Sequence, residues 1–164
     1  MAKRLILMRH AKSSWGSGVA RDHDRPLNDR GRASAPRVAV KLRELGWNPE
    51  LVFSSDAERT RETFKVMRSA LGGDVDAQFS SSLYLGGVDQ VREVLMNIGE
   101  PANTVLCLGH NPGWEEAIYW FCGESVTMKT ASAALLSASD DPWGDLAQSA
   151  GQFDLVELIH PREL

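Results

Sequence analysis

The sequence predicts an α/β sandwich: helices on both faces of a sheet that is mainly parallel with an antiparallel edge. Three observations carry that prediction. Short continuous apolar runs recur at Leu5–Met8, Leu51–Ser54 and Thr104–Leu108, and such runs mark strands buried on both faces. Segments of helical period lie between them, the alternation of a layered α/β domain. Two more strand-like runs, Ala133–Ala138 and Phe153–Ile159, then come together, which supplies the antiparallel edge. The 164 residues contain no linker, repeat or low-complexity stretch. They read as one domain over 1–164, long enough for a sizeable core.

After the first strand, residues 11–27 are rich in Ser, Gly and Asp, a loop of a length that is usually functional. Val38, Leu42 and Leu45 then follow helical spacing up to Gly46. That helix starts either at a cap on Asn28 or Asp29, with Pro36 inside it, or at Ser34, with Pro36 in the first turn. After the second strand, Ser55 or Asp56 is the expected cap of a helix carrying Phe64, Met67 and Leu71 and ending at Gly72-Gly73. Val75–Phe79 reads as a short strand. Residues 88–98 read as a helix with Val91, Val94, Leu95 and Ile98 on one face and Asp89 as its cap. Asn111 as N-cap and Pro112 at the first position start a helix over Trp114–Cys122. Asp140–Gly151 reads as a turn-rich connection between the last two strands.

Composition narrows the function classes. The net charge is −4, yet residues 1–43 carry eleven Lys/Arg against three Asp/Glu. A cationic segment on an acidic body attracts anions locally, although Arg32, Arg37, Lys41 and Arg43 also fit a solvated helix face. Aromatic residues are not interleaved with the basic ones, so nucleic acid is not the expected partner. Cys107 and Cys122 sit in apolar surroundings and read as buried thiols of a reducing compartment. Four apolar residues after Met1–Arg4 are too few for a signal peptide or membrane span. A cytoplasmic monomer without membrane contact is the expectation. Four histidines without close spacing, and no clustered carboxylates, predict neither a metal nor another cofactor. Trp114, Tyr119, Trp120 and Phe121 read as a core-facing aromatic set, Glu115-Glu116 as dipole complements, and His160 as incidental.

The chemistry collects at strand ends. The first strand runs into Arg9-His10. The second ends in Ser54-Ser55, with Arg59 one helical turn further on. Thr104–Leu108 ends in Gly109-His110. In parallel strands these three signals meet at one sheet edge, where open α/β sheets bind ligands. Two histidines and two arginines then converge beside two helix N-termini, which also favour anions. Histidine is a nucleophile near neutral pH, and arginine is a fixed cation whose planar fork fits phosphate. The convergence describes a site for phosphoryl transfer.

Several motifs carry a family resemblance: Leu7-Met8-Arg9-His10-Ala11-Lys12-Ser13, Arg25-Pro26-Leu27, Ser54-Ser55-Asp56-Ala57-Glu58-Arg59-Thr60-Arg61-Glu62-Thr63 and Gly109-His110-Asn111-Pro112. Together they resemble the histidine phosphatase superfamily, and within it the SixA-type phosphohistidine phosphatases. The resemblance implies a phosphoglycerate mutase-like fold, a three-layer α/β/α sandwich. It implies that His10 is the nucleophile and that Arg9, Arg59 and His110 surround the phosphoryl oxygens, with Arg25 at the rim. The implied activity is a metal-independent phosphatase working through a phosphohistidine intermediate on His10. The implied partner is a phosphorylated protein or a small phosphorylated molecule.

Departures from the family pattern refine this. Ala11 stands where Gly is common, which keeps a small residue but makes a left-handed backbone costly. Asp56 replaces a common Pro. Gly16 replaces the Asn of mutase-like members, which points away from a sugar-phosphate mutase. Where many members carry a catalytic Glu, Ser81–Gly86 holds no carboxylate. An alkyl phosphate needs a proton donor, an effect of roughly 10²–10⁴-fold, whereas phosphohistidine releases imidazole, a far better leaving group. The missing acid therefore favours phosphohistidine in a signalling or phosphotransfer protein. Two alternatives stand beside it. A phosphatase of small metabolites would use Asp22, His23 or Asp24 as proton donor, although these read first as a solvated loop. A non-catalytic phosphate-binding module would not need a nucleophilic histidine.

Overall fold

A computed structural model describes residues 1–16 and 18–164; Ser17 lies outside the described residues. The strands are β1 (Lys3–Arg9), β2 (Leu51–Ser55), β3 (Ala77–Ser80), β4 (Thr104–Gly109), β5 (Ala133–Ala138) and β6 (Asp154–Ile159). They form one sheet in the order β3-β2-β4-β1-β5-β6. β3, β2, β4 and β1 pair in parallel, while β5 runs antiparallel to both β1 and β6. The helices are α1 (Asp29–Glu44), α2 (Glu58–Met67), α3 (Val88–Met96), α4 (Gly113–Cys122) and α5 (Trp143–Leu146).

The three layers follow from strand periodicity. Leu5, Leu7, Val105, Cys107, Ala134 and Leu136 point to one face, against Val91, Leu95, Trp114 and Phe121. Ile6, Met8, Leu106, Leu108, Ala133 and Leu135 point to the other, against Val38, Leu42, Phe64 and Met67. Burial on both faces is why these strands read as unbroken apolar runs. Among the described residues no helix is long and apolar enough to cross a membrane.

Helix starts depart from the sequence reading in an ordered way. Asn28 caps α1 as expected, its Oδ1 accepting from the Gly31 amide at 3.0 Å. Pro36 lies inside that helix. The cap and the buried stripe Gly31, Ala35, Val38, Ala39 and Leu42 outweigh an internal proline's cost of about 3 kcal/mol. Neither Ser55 nor Asp56 caps α2; Ala57 holds that position without a side-chain bond. Pro112, not Asn111, is the N-cap residue of α4, and Asn111 Nδ2 instead donates to the Met128 carbonyl at 2.9 Å. Asp89 sits in the first turn of α3, whose N-cap is Gly87. The connection over 140–151 is less turn-like than its composition suggests: it contains α5, with Trp143 and Leu146 buried. Of the aromatic set on α4, Trp114 and Phe121 are core, but Tyr119 is exposed and Trp120 lies under the Arg92 guanidinium. Cys107 is buried, with its thiol pushed up to about 12 by burial, whereas Cys122 is only partly covered.

Candidate active site

The register of β1 on β4 pairs Arg9 with Gly109, so Arg9-His10 and Gly109-His110 leave the sheet side by side. β2, on the other side of β4, delivers Ser54 and Ser55. The strand ends converge as the sequence predicts. His10, Arg59 and His110 are buried, at 5%, 3% and 1% exposure. The rings of His10 and His110 lie 5.3 Å apart.

The tautomer of His10 is set by its backbone. Its Nδ1 lies 2.7 Å from the Ala11 carbonyl oxygen. A carbonyl only accepts, so Nδ1 carries the proton and Nε2 keeps its lone pair. Arg59 Nε–H points at that lone pair from 3.3 Å. Thr63 ties the two together: its Oγ1 accepts from the Ala11 amide at 3.0 Å and donates to the Arg59 carbonyl at 2.6 Å. Ala11 is not among the residues with positive φ, so the Gly-to-Ala departure carries no backbone strain.

His110 is oriented by Ser55, with Nε2 2.8 Å from the hydroxyl. Ser55 Oγ also accepts from the Ala57 amide at 3.2 Å, which holds the hydroxyl in place beside the ring. Among the described residues His110 Nδ1 and Arg9 Nε are buried without a hydrogen-bond partner, as is Arg25 Nε, which faces Asp22 Oδ1 in an ion pair at 3.4 Å. Buried polar atoms of this kind call for a partner. Arg9 Nη1 donates to the Met128 carbonyl at 3.1 Å. Arg25 sits at the rim, donating from Nη2 to Ser13 Oγ at 3.0 Å and lying over the Trp15 ring.

Both site histidines are neutral at pH 7, with pKa values lowered to about 3. Burial is the main cause for each, reinforced by the charges of Arg59 and Arg9 and, at His110, by His10. Unfolded, each ring takes a proton near pH 6.5; folded, only near pH 3. Between those values the unfolded state binds more protons. Stability from this pair is therefore full above about pH 6.5 and is lost as pH falls, by up to ~2.7 kcal/mol per pH unit. Urea unfolding at pH 7, 5 and 4 measures the slope, and His110→Gln is expected to reduce it by about half.

The loop before Arg25 is not simply solvated. Asp24 is exposed, but Asp22 enters the site. Arg59 donates to it twice, from Nη1 to its carbonyl at 2.8 Å and from Nη2 to Oδ2 at 3.0 Å. Tyr84 donates its hydroxyl to the same Oδ2 at 2.5 Å. Burial acts to raise the Asp22 pKa, but the Tyr84 and Arg59 hydrogen bonds and the charges of Arg59 and Arg25 outweigh it, so the carboxyl is held ionised. His23 is drawn in as well, its Nε2 2.8 Å from Asp56 Oδ1. Tyr84 is the residue of this candidate site that the sequence reading missed. Its ring stands edge-on to both His110 and His23. Gly113 allows this placement: a Cβ there would fall 1.8 Å from the Gly86 carbonyl oxygen, on the loop that follows Tyr84.

The family model for the histidine phosphatase superfamily (branch 1) matches residues 5–83. An uncharacterised chloroplastic protein of Arabidopsis thaliana is 44% identical, over 98% of this chain and 79% of its own length. An uncharacterised protein of Mycobacterium tuberculosis is 36% identical over 64% of this chain, which spans 63% of that relative. The structure of a putative phosphohistidine phosphatase SixA from Nakamurella multipartitia superposes with a TM-score of 0.84 at 31% identity, covering 98% of this chain and 97% of that one. With the Arg-His pair, the second arginine and the second histidine in one buried cluster, the chain belongs to the histidine phosphatase superfamily and is SixA-type.

Proposed function

We propose that the protein is a phosphatase that removes the phosphoryl group from phosphohistidine in a signalling or phosphotransfer protein, without a metal. The observation that carries this is the buried, neutral His10, with its proton on Nδ1 and its Nε2 lone pair beside Arg59. In the first transfer the substrate P–N bond breaks as a bond from phosphorus to Nε2 forms, and the imidazole departs already protonated on its other nitrogen. In the second, a water oxygen bonds to phosphorus, the P–Nε2 bond breaks and inorganic phosphate leaves. Both water protons leave with the phosphate, so this step balances without a side-chain base. Arg9, Arg59 and His110, taken with its ring proton on Nδ1, supply donors where charge develops, the electrostatic role that a dry site makes strong.

The state of Asp22 favours phosphohistidine over an ester. An ionised carboxylate that already accepts from Tyr84 and Arg59 has no proton to give an alkoxide. The competing reading, a phosphatase of small phosphorylated metabolites, is favoured by one fact: a carboxylate does stand in the site. Phosphate release from a phosphohistidine protein and from a phosphoserine peptide separates the two. Release from phosphohistidine alone, retained in Asp22→Asn within about ten-fold, fits the proposal. Equal or faster release from the serine ester, lost in Asp22→Asn, makes Asp22 a proton donor and favours the metabolite reading.

Asp22 also competes for the cation that an incoming phosphate must use. Asp22→Asn is expected to tighten binding of inorganic phosphate about ten-fold, the scale of one charge-assisted hydrogen bond. Calorimetric titration reads it, and unchanged affinity would remove Asp22 as a competitor.

A further inference from the structure

Arg9 borders a second feature. A cavity of about 270 Å³ lies against it, lined by Arg9, Lys12, Arg30, Lys129, His160 and Arg162, without His10, Arg59 or His110. Among the described residues no Asp or Glu lines it. Among the described residues none of its five Lys and Arg side chains forms an ion pair. The carboxylate that acts on Arg9, Glu115, is itself committed to the Met128 amide and Asn111. On a chain of net charge −4, this gathers like charges around one small space, and an anion bound there offsets their mutual repulsion.

The cavity is built by the same backbone that builds the active site. Gly31 seats the first turn of α1 on Lys12: a Cβ there would fall 2.2 Å from the Lys12 carbonyl oxygen, which accepts from the Asn28 amide at 3.0 Å. This brings Arg30 to Lys12. Fully buried Ser132 is the hinge of the opposite wall. Its carbonyl accepts from the Arg9 amide at 3.0 Å, and its hydroxyl lies 2.7 Å from His160 Nδ1. His160 is therefore not incidental; with Nδ1 anchored, Nε2 is the ring nitrogen left for the cavity. The neighbouring Ala131 amide donates to the His10 carbonyl at 2.8 Å. Nucleophile and cavity are thus held in one frame.

We propose that this cavity is a second oxyanion site, which holds an anionic group of the substrate other than the phosphoryl group being transferred. Its volume falls below the roughly 300–1,000 Å³ that encloses a drug-sized ligand, and suits one carboxylate or phosphate group. The second anion belongs to the substrate only if the adjoining site is the phosphatase site proposed above. An acidic side chain beside phosphohistidine and a second phosphate on a metabolite share this chemistry.

The test titrates inorganic phosphate into the full chain and follows backbone amide resonances. Two groups are expected to respond: Ser55 and Gly109, and separately Lys12, Thr130 and Arg162. The double variant Lys129→Gln/Arg162→Gln, on exposed positions, is expected to weaken only the second response, by about ten-fold. A response confined to the first group overturns the second site. A response confined to the second supports it and counts against the phosphatase reading, so the two failures are distinguishable. Kinetics then identify the source. A KM about five-fold lower for a phosphohistidine peptide flanked by Glu than by Gln, abolished in the double variant, assigns a phosphoprotein carboxylate. The same advantage for a sugar bisphosphate over its monophosphate assigns a second phosphate. Equal KM values within both pairs overturn the assignment of the second anion to the substrate.

Discussion

His10→Ala is expected to lower phosphate release by at least about 10⁴-fold, the loss that follows removal of an attacking group from a unit that works together. The remaining cations still bind and polarise phosphate, so affinity for inorganic phosphate is expected to change far less than turnover. The contrast is diagnostic. His10 does no obvious work in holding an anion: it is neutral, with its only proton given to the Ala11 carbonyl. A binding module would lose little with it. Steady-state release and phosphate titration on the same variant measure both sides, and a variant that keeps turnover would place the nucleophile elsewhere.

Arg59→Lys is expected to cost about 10²–10³ in kcat, the scale of losing a preorganised charge stabiliser. The expectation rests on the fork rather than on charge alone. One guanidinium reaches His10 Nε2 from Nε, the Asp22 carbonyl from Nη1 and the Asp22 carboxylate from Nη2. An ammonium cannot span those three directions at once. Burial at 3% exposure adds a folding cost to Arg59→Ala, so the lysine variant is the cleaner one. Its unfolding curve should be recorded beside its kcat. A full-activity lysine variant would reduce Arg59 to a general source of positive potential.

The candidate site was legible because most of its members follow a buried strand directly, with Arg59 one helical turn further on. Apolar runs ending in Arg9-His10, Ser54-Ser55 and Gly109-His110 give both the strand and the chemistry, and parallel order brings them to one edge. The helix starts were harder to read for a related reason. Ser55, Asp56 and Asn111 are all cap-forming residue types, yet each is diverted: Ser55 to His110, Asp56 to His23, Asn111 to the Met128 carbonyl. Local capping preference of about 1 kcal/mol yields to contacts that only the folded chain creates. The loop over 11–27 was opaque in the same way. Composition marks Asp22, His23 and Asp24 as polar, but only the position of Arg59 and Tyr84 selects Asp22 to turn inward. Tyr84 lies where the sequence was searched for a carboxylate, and a hydroxyl escaped that search. The basic cavity was invisible because Lys12 and His160 come from opposite ends of the chain.

The most direct test of the central claim is to trap the enzyme during turnover. The protein is mixed with a phosphohistidine substrate, quenched in alkali, and digested for mass spectrometry, with phosphorus NMR on the intact sample. The account predicts a single phosphorylated residue, His10, bonded through Nε2, because Nδ1 is committed to the Ala11 carbonyl. Phosphate on Nδ1, on His110 or on any other side chain, or active enzyme that never carries phosphate, would contradict it.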